Sequence, residues 1–504
     1  MKKLLGPVAN KISTYVAILL TMNLSQPNIS SAAASNSASD DFALVDTVFR
    51  EYDIRGLADS ELNPEFALRL GKALGQQILR KGENAVYIGC DGRLSSACLS
   101  ESLCLGLRFS GCTCIDLGQT TTPILNFGIH HDQKASSGVM VTASHNPGIY
   151  NGFKIIIEKE VISGSGLQEL KKMIGSGNFP EKLGGQYFKL DLLNHYLDYI
   201  VSGIQLTHPF KIVIDGGNAT CGPVAVSLFR KLDCDVRPLF CGVDGHFPNH
   251  DPNPSDVNNL QTLIATVKST GADLGLALDG DGDRLVVISS SGEVIWPDRL
   301  MMIFAQDILR QNAGSTVVFD VKSSTQVSEV IKEYSGTPVL CKTGHSHVRK
   351  TVQDTGSILG GEFSGHIFFN DRWYGFDDGL YAAARLLELL CAEEHAESIS
   401  IDQIVANFKP SNCTPEILIP VPESEKFELM NKLTAQCRFV EADINFLDGL
   451  RAEFPGGWGL IRPSNTTPNL TLRFEANTNE NLEQIKARFR EQLKPFIHQI
   501  EDYI

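Results

Sequence analysis

The chain has 504 residues, of which 42% are hydrophobic and 20% are charged, an ordinary composition for a globular protein. Its length exceeds what one hydrophobic core supports, so three or four domains are expected. The net charge of −15 and the lack of a basic stripe argue against nucleic acid as a partner.

Residues 1–44 are expected to form a leader that is disordered or used in targeting. No Asp or Glu occurs before residue 40, two lysines precede an apolar run at 15–20, and three alanines follow at 32–34. The apolar run is too short and too polar to predict a membrane span. The twelve irregularly spaced cysteines lack a C-x-x-C pair and favour free thiols in a reducing compartment. We therefore expect a cytoplasmic protein, without membrane contact unless the leader anchors it.

Strand-like apolar runs alternate with helical patterns from about Asp41 to residue 400, which predicts an α/β fold. One unit occurs three times, 124 and 105 residues apart: an apolar strand, a terminal aspartate, a turn and a helical pattern. The three aspartates are Asp91, Asp215 and Asp320. This recurrence predicts three related α/β domains, although Asp is common at such turns and chance recurrence is the alternative.

The sequence changes in character beyond residue 405, where a smaller α+β domain is predicted. Its expected elements are an edge strand, a helix, two further strands and a closing helix: Pro415–Pro422, Ser424–Phe439, Trp458–Ile461, Leu470–Phe474 and from about Asn481. We expect surface loops in the Gly-rich parts of Gly164–Gly185 and in His246–Pro254. The predicted domains are 45–190, 191–293, 294–405 and 406–504.

The stretch T-A-S-H-N-P at 142–147 follows a short apolar strand, Val139–Val141. Pro147 prevents a simple continuation of the strand and favours a turn. Ser144 is therefore expected on a loop at the end of a buried strand, where α/β proteins place their ligands. Neither a G-x-S-x-G elbow nor an S-x-x-K box surrounds it, so a hydrolase nucleophile is not indicated.

A D-G-D-G-D-R loop at 279–284 lies between two apolar strands. Alternate residues of an extended chain point the same way, so Asp279, Asp281 and Asp283 are predicted to converge. Three adjacent carboxylates repel each other strongly unless a divalent cation neutralises them. Ligands that are all oxygen favour Mg²⁺ over zinc.

Three further segments carry groups that could bind a ligand. Gly459–Pro468 offers Arg462, hydroxyls and backbone N–H groups within one turn, which suits a phosphate, although such residues are common in loops. Glu362 and Ser364 on a Gly-rich backbone could bind vicinal sugar hydroxyls, with a plain tight turn as the alternative. His345 could be a general acid or base, or a surface residue, and no partner ligands at zinc spacing accompany it.

Together these motifs resemble those of the α-D-phosphohexomutases, and the match is closest to the bacterial phosphomannomutase/phosphoglucomutase group. T-A-S-H-N-P, D-G-D-G-D-R, G-E-F-S-G-H and R-P-S-N-T-T-P occur in that order, and Y-D-I-R-G and N-G-F-K also fit. The resemblance covers about residue 45 to the C-terminus and excludes the leader. It implies three related α/β domains and a C-terminal α+β domain around a central cleft. It also implies an isomerase that interconverts hexose 6-phosphate and hexose 1-phosphate, with mannose, glucose or both as the sugar.

The resemblance implies a role for each motif residue. A phosphoryl group on Ser144 would be exchanged with the substrate through a hexose 1,6-bisphosphate, which would be both intermediate and activator, and the bound metal would be Mg²⁺. Catalytic groups would be Ser144, Arg55, Lys154, Arg284 and His345. Substrate-binding groups would be Lys322, Glu362, Ser364, Arg462, Ser464, Asn465 and Thr466. Metal ligands would be Ser144, Asp279, Asp281 and Asp283.

The alternatives to this interpretation differ in chemistry. A phosphoglucosamine mutase would typically show G-E-Q-S-G-H and G-T-E-P, where this chain has Phe363 and N-T-T-P. A phosphatase would use the same serine and metal but let water complete the reaction. A sugar-phosphate-binding protein without activity would lose the donor, whereas Ser144 and the three aspartates are present. We expect a hexose phosphate as the partner of a monomer or a dimer.

Overall fold

The computed structural model describes residues 44–182, 184–391, 399–465 and 467–504. The predicted leader lies outside the described residues except for its last position, and Thr466 of the predicted phosphate loop also lies outside them. The chain from Leu44 onwards packs as one compact unit. No helix among the described residues is long and apolar enough to cross a membrane.

Four sheets occur in the described part of the chain, and the first carries the T-A-S-H-N-P loop. Its strands are β1 (Ile54–Leu57), β2 (Ala85–Cys90), β3 (Thr113–Gln119), β4 (Gly138–Val141), β5 (Tyr150–Ile157), β6 (Glu160–Val161) and β7 (Tyr187–Lys189). They lie in the order β1-β5-β4-β2-β3-β7, with β6 paired to β5. The helices are α1 (Pro64–Arg80), α2 (Ser96–Phe109), α3 (Thr122–Phe127) and α4 (Ser165–Ser176), and a π-helix spans Gly128–Asp132.

The second sheet has the order β12-β11-β10-β8-β9. Its strands are β8 (Lys211–Asp215), β9 (Asp235–Leu239), β10 (Leu274–Leu278), β11 (Leu285–Ser289) and β12 (Val294–Ile295), and its helices are α5 (Leu193–Gly203), α6 (Cys221–Lys231) and α7 (Gln261–Thr270).

The third sheet has the order β14-β13-β15-β16. Its strands are β13 (Thr316–Asp320), β14 (Thr337–Cys341), β15 (Leu359–Gly361) and β16 (Ile367–Phe369), and its helices are α8 (Pro297–Gln311), α9 (Thr325–Glu333), α10 (His345–Thr355), α11 (Gly379–Leu390) and α12 (Ile401–Val405).

These three sheets share one topology, which confirms the expected set of three related α/β domains. The central strand of each (β2, β8 or β13) ends at or just before one of the recurring aspartates and has parallel neighbours on both sides. One parallel neighbour continues into an antiparallel strand. The loops at that reversal span 142–149, 279–284 and 362–366. The serine loop, the aspartate loop and the predicted sugar loop therefore occupy the same position in three domains.

The fourth sheet is antiparallel and belongs to the predicted α+β domain. Its strands are β17 (Asn412–Cys413), β18 (Ile417–Pro420), β19 (Asp443–Asn445), β20 (Leu450–Phe454), β21 (Gly457–Pro463) and β22 (Asn469–Ala476), and its helices are α13 (Lys426–Gln436) and α14 (Asn479–Leu493). It has its own apolar core, whereas one continuous core runs through the three α/β domains. The boundaries proposed from the sequence stay predictions, and β12 lies just past the one at residue 293.

Local sequence explains where several elements begin and which faces they bury. Asn63 accepts a hydrogen bond from the backbone N–H of Phe66 at 2.9 Å, and α1 starts with a proline, as stable helices often do. Strands β10 and β11 are buried along their whole lengths, which explains their continuous apolar sequences. The expectation of loops in the Gly-rich parts of Gly164–Gly185 is partly wrong, because α4 begins at Ser165 and ends at Ser176, with Leu167, Leu170 and Ile174 buried at helical spacing. His246–Pro254 is free of helix and strand, as expected.

Candidate active site

The loop after β4 holds Ser144 in a strained backbone conformation. Its φ of +50° lies in the left-handed region, which costs a non-glycine residue on the order of 1 kcal/mol. The side chain is 1% exposed. Its hydroxyl donates to Asp279 Oδ2 at 2.5 Å and lies 3.2 Å from His145 Nδ1. The strained turn therefore directs the Ser144 hydroxyl at the aspartate loop of the second domain.

A buried arginine that sequence reasoning missed explains how the serine loop keeps this conformation. The Arg93 guanidinium donates to four carbonyl oxygens at 2.7 to 3.1 Å, those of Ser144, Asn146 and Pro147 in the loop and of Tyr150 at the start of β5. Its Nε donates to Asp91 Oδ2 at 2.9 Å. Asp91 is the first of the recurring aspartates, so the strand-end residue anchors the arginine that shapes the loop.

The three carboxylates of the aspartate loop lie together, as their spacing predicts. Asp279, Asp281 and Asp283 are fully buried, and one oxygen of each lies within 4.8 Å of the others. Gly280 permits this close approach, because a Cβ there would lie 2.3 Å from the carbonyl oxygen of Ser144. The reversal between β10 and β11 thus brings four oxygen-bearing side chains from two domains to one point.

Buried charges surround these carboxylates. Lys154 Nζ lies 2.6 Å from Asp281 Oδ2 and also contacts Asp283. Burial raises the pKa of Asp279 well above its usual range, and the neighbouring carboxylates add to that rise. Burial would also raise the pKa of Asp281, but the Lys154 ammonium outweighs it and lowers the value. The Asp281 and Asp283 Oδ1 atoms are buried without a hydrogen-bond partner, so all-oxygen ligand atoms suited to Mg²⁺ are available at this point.

Two predicted arginines flank the same place. Arg55 is 4% exposed, pairs with Asp53 and donates to Asn146 Oδ1 of the serine loop at 3.0 Å. Arg284 Nε lies 3.7 Å from Asp279 Oδ2 and donates to His366 Nε2 at 2.9 Å. Positive charge from the first and second domains therefore lies beside the serine and aspartate loops, which suits a phosphoryl group at Ser144.

The predicted sugar loop presents a buried carboxylate. Glu362 is 1% exposed, and its carboxylate accepts hydrogen bonds from the backbone N–H of Gly344 and, at 3.1 Å, from the Ser364 hydroxyl. Burial, reinforced by Asp320, raises the pKa of Glu362 to about 7. Lys322 is 6% exposed and pairs with Glu416 of the fourth domain at 3.0 Å. These groups can accept from and donate to a polyhydroxylated ligand.

The raised pKa of Glu362 predicts a pH-dependent cost to stability. The folded protein holds a proton on Glu362 between pH 4.5 and about 7 that the unfolded chain releases, so this group's stabilising contribution is lost as pH rises through that window. Glu362→Gln should therefore raise the free energy of unfolding at pH 8, by up to about 3 kcal/mol, with the gain shrinking toward pH 5. Urea denaturation at both pH values checks this. Glu491→Gln, at an exposed position, is the control, and a gain in Glu362→Gln that is the same at both pH values would contradict the interpretation.

Two histidines and an aspartate lie beside the carboxylates. The His366 Nδ1 atom lies 2.8 Å from Asp377 Oδ2 and 3.5 Å from Asp283 Oδ1. The His345 ring stacks on that of His366 with centroids 5.4 Å apart, and its buried Nε2 lacks a hydrogen-bond partner. Burial lowers the pKa of both rings, that of His366 to about 3. The reading of His345 as a surface residue is therefore wrong. Sequence reasoning did not assign His366, the last residue of G-E-F-S-G-H, or Asp377.

The fourth domain supplies the predicted phosphate loop after β21. Arg462 is 4% exposed, its Nε donates to Asp448 Oδ2 at 2.8 Å, and its Nη2 is buried without a hydrogen-bond partner. The loop continues through Ser464, which is buried, and Asn465, which is partly exposed. Lys426 was not expected here, yet its ammonium is buried and donates to the Ser464 carbonyl oxygen at 2.5 Å. A lysine on α13 therefore stabilises the phosphate loop through its backbone.

Tyr52 shows that groups from different domains surround one place. Its ring meets the His345 ring edge-on at 5.3 Å. Burial raises the pKa of Tyr52 to about 12, with the charge of Glu362 adding to the rise and the charges of Arg462 and Arg55 opposing it. The first domain thus contacts the third at Tyr52, and the third contacts the fourth where the backbone N–H of Thr343 donates to Asp448, the partner of Arg462, at 3.1 Å. With the aspartate loop of the second domain, all four domains contribute to one site.

Known proteins match this chain along nearly its whole described length. Four family profiles, described as phosphoglucomutase/phosphomannomutase alpha/beta/alpha domains I, II and III and C-terminal domain, match residues 46–179, 194–292, 296–409 and 416–492. A phosphomannomutase/phosphoglucomutase of Pseudomonas aeruginosa is 45% identical over 448 residues, which cover 89% of this chain and 96% of the relative. A phosphoglucomutase of Neisseria gonorrhoeae is 44% identical over 88% of this chain and 96% of its own length.

A solved structure agrees in fold as well as in sequence. The phosphoglucomutase/phosphomannomutase family protein of Burkholderia thailandensis superposes with a TM-score of 0.84 at 40% identity, covering 90% of this chain and 98% of its own. The shared topology, the four-part site and these matches lead to one conclusion: the chain belongs to the phosphoglucomutase/phosphomannomutase family of α-D-phosphohexomutases.

Proposed function

We propose that this phosphohexomutase interconverts the 6- and 1-phosphates of mannose and glucose, with Ser144 as the phosphoryl carrier. The observation that carries the proposal is the Ser144 hydroxyl, held by a strained loop 2.5 Å from Asp279 of another domain. A coupled assay with mannose 1-phosphate, glucose 1-phosphate and glucosamine 1-phosphate, with and without a hexose 1,6-bisphosphate activator, tests it. Release of inorganic phosphate without isomerisation would instead identify a phosphatase.

The aspartate loop would hold Mg²⁺ through Asp279, Asp281 and Asp283, together with the phosphoryl oxygens on Ser144. The ion would supply neutralisation of the charge on the transferring phosphoryl group. Lys154, Arg55 and Arg284 add fixed positive charge around the same oxygens, and phosphoryl transfer depends mostly on such charge and on positioning.

Each transfer would exchange one phosphate ester for another. A sugar hydroxyl attacks the phosphorus on Ser144, so that the bond to Ser144 Oγ breaks and a bond to the sugar oxygen forms, which yields a hexose 1,6-bisphosphate. The other phosphate of this intermediate then returns to Ser144. His345 is uncharged at neutral pH because burial lowers its pKa, so it could accept the hydroxyl proton. The His366 ring accepts a hydrogen bond from Arg284 at Nε2, and its Nδ1 lies 2.8 Å from Asp377, so it is placed to hold Arg284 and not to accept this proton.

Substrate contacts follow from the other two loops. Glu362 and Ser364 would hold two ring hydroxyls, and Lys322 would line the cleft beside them. The phosphate that is not reacting would be bound by Arg462, Ser464, Asn465 and Thr466. The glucosamine alternative is not favoured, since the relatives that match over nearly their full lengths are named phosphomannomutase or phosphoglucomutase. All twelve cysteines are free thiols, which supports a cytoplasmic location for an enzyme of phosphosugars.

Arg462→Ala should lower kcat/KM for the mannose and glucose substrates by similar factors. The bisphosphate must bind in two orientations, so one distal site holds either end phosphate in turn. Loss of a charge-assisted contact costs about 2–3 kcal/mol, or about 30- to 150-fold in kcat/KM. The bisphosphate should also escape more often. Steady-state kinetics on both sugars, with released bisphosphate measured, checks this. Arg462→Lys keeps the positive charge but not the bidentate hydrogen bonds, so its kcat/KM should lie between those of the native enzyme and Arg462→Ala. A loss confined to one sugar would mean that Arg462 contacts the ring.

A further inference from the structure

A buried arginine of the fourth domain contacts the loops that would bind the sugar in the third. Arg473 lies on β22 and is 2% exposed. One arm of its guanidinium donates to the backbone carbonyl oxygen of Lys322, and the other donates to Asp298 Oδ2 at 3.2 Å. The guanidinium carbon lies 3.5 Å from the ring centroid of Phe363. One planar group therefore touches the backbone beneath Lys322 and the side chain between Glu362 and Ser364.

Phe363 transmits this contact to the sugar loop. Its backbone N–H donates to Asp320 Oδ1 at 3.1 Å, which fixes the loop on the strand-end aspartate. The ring of Trp296 lies 5.9 Å from that of Phe363, and the Lys322 ammonium lies 5.9 Å from the same ring centroid. The aromatic ring thus lies next to both cations, with Arg473 much the closer.

Arg473 stays positively charged although its side chain is buried. Burial would lower the pKa of the guanidinium, but Asp298 and Glu475 raise it above its ordinary value. A planar guanidinium can stack on an aromatic ring and donate in its own plane at the same time, which a lysine ammonium cannot do. Arg451 supports the same backbone, because it donates to the carbonyl oxygens of Val321 and Ser323 at 2.5 and 2.9 Å, but its guanidinium stacks on Trp458 and not on Phe363.

We propose that Arg473 is a positioning residue that fixes Lys322 and the Glu362–Ser364 loop in one arrangement, so that both act on the same bound sugar phosphate. The inference rests on the proposed function, since it takes Lys322, Glu362 and Ser364 as substrate-binding groups. Arg473 acts through Lys322 and Phe363 and not by contact with the sugar phosphate. The fourth domain therefore contributes to recognition of the sugar as well as of the distal phosphate.

A double-mutant cycle tests this inference. Arg473→Lys should lower kcat/KM for mannose 1-phosphate and glucose 1-phosphate by about 10- to 100-fold in the otherwise native enzyme. In a Lys322→Ala background the same substitution should have a smaller effect on kcat/KM, only the part that passes through Phe363, because coupled residues are not additive. Phe363→Leu should likewise remove part of the effect of Arg473→Lys. The hydrolytic loss of phosphate from Ser144 without sugar, followed by intact mass, should be unchanged in Arg473→Lys.

Controls separate a positioning role from a merely structural one. Arg438→Lys, a substitution on the same domain at an exposed position, should leave kcat/KM unchanged. An Arg473→Lys effect of equal size with and without Lys322 would overturn the inference, and so would native kcat/KM in Arg473→Lys. Calorimetry should also measure the Kd of mannose 1-phosphate for the four proteins of the cycle, which are the native enzyme, Arg473→Lys, Lys322→Ala and the double variant. These values repeat the double-mutant cycle for binding alone. If the native protein bound the sugar phosphate without isomerising it, the proposed function would be wrong. The Kd values would still decide whether Arg473 positions Lys322.

Discussion

Ser144→Ala should abolish mutase activity, with kcat lowered by at least about 10⁴-fold. The substitution removes the oxygen that would accept the phosphoryl group. It also removes the donor that lies 2.5 Å from Asp279 Oδ2. Alanine at a φ of +50° is no more strained than serine, so the fold should be retained. Coupled kinetics measures the loss, and intact-mass analysis of freshly purified protein should show a phosphate adduct in the native enzyme that Ser144→Ala lacks.

Ser364→Ala is the matched control for this prediction. It removes a hydroxyl of the sugar loop, which donates to Glu362 at 3.1 Å, and leaves the serine loop untouched. The phosphate adduct should persist in this variant while kcat/KM falls by about 5- to 30-fold, the size expected for one hydrogen bond. Full activity of Ser144→Ala, or an adduct retained in it, would show that another residue carries the phosphate.

Asp281→Asn should lower kcat by at least about 10³-fold, the second largest effect expected. The change keeps the size of the side chain but removes a carboxylate that lies 2.6 Å from Lys154 and carries an unpaired buried oxygen. Metal affinity should fall for the same reason, because hard divalent cations prefer charged oxygen ligands. Treatment of the native enzyme with EDTA should remove activity, and added Mg²⁺ should restore it.

Isothermal titration with Mg²⁺ separates loss of metal from loss of fold. Asp354→Asn provides the control, because that carboxylate forms an exposed pair with Lys350 at 2.7 Å on the surface, where such pairs contribute little. Its kinetics and Mg²⁺ affinity should match those of the native enzyme. If EDTA-treated native enzyme turned over at the same rate without added metal, the aspartate loop would have another role.

Short-range patterns were sufficient for much of the fold and part of the site. Alternation along an extended chain predicted that Asp279, Asp281 and Asp283 converge, since their relative placement depends only on the local backbone. A strand interrupted before Pro147 predicted that Ser144 lies on a loop at a strand end. Three strands ending in aspartate predicted three related domains. The first two predictions depend only on neighbouring residues, and the third depends on a short pattern that recurs along the chain.

Contacts between residues far apart in the chain could not be predicted from such local patterns. Arg93 and Lys426 shape the serine loop and the phosphate loop, yet the carbonyl oxygens they bind lie 38 to 57 residues away. Arg473 lies 151 residues from Lys322. Arginine and lysine occur widely on protein surfaces, so nothing local distinguishes a residue that will be buried against a loop of another domain.

The sequence by itself therefore determined the class of fold, and it predicted which residues could carry the chemistry. Only the tertiary structure decided that the serine, aspartate and sugar loops occupy equivalent positions in three sheets, and that His366 and Asp377 join them. It also decided the pKa of Glu362, because burial and a neighbouring carboxylate set that value. The physical reason is that backbone conformation depends on near neighbours, whereas burial and electrostatic interactions depend on distances in space, which residues remote in sequence determine.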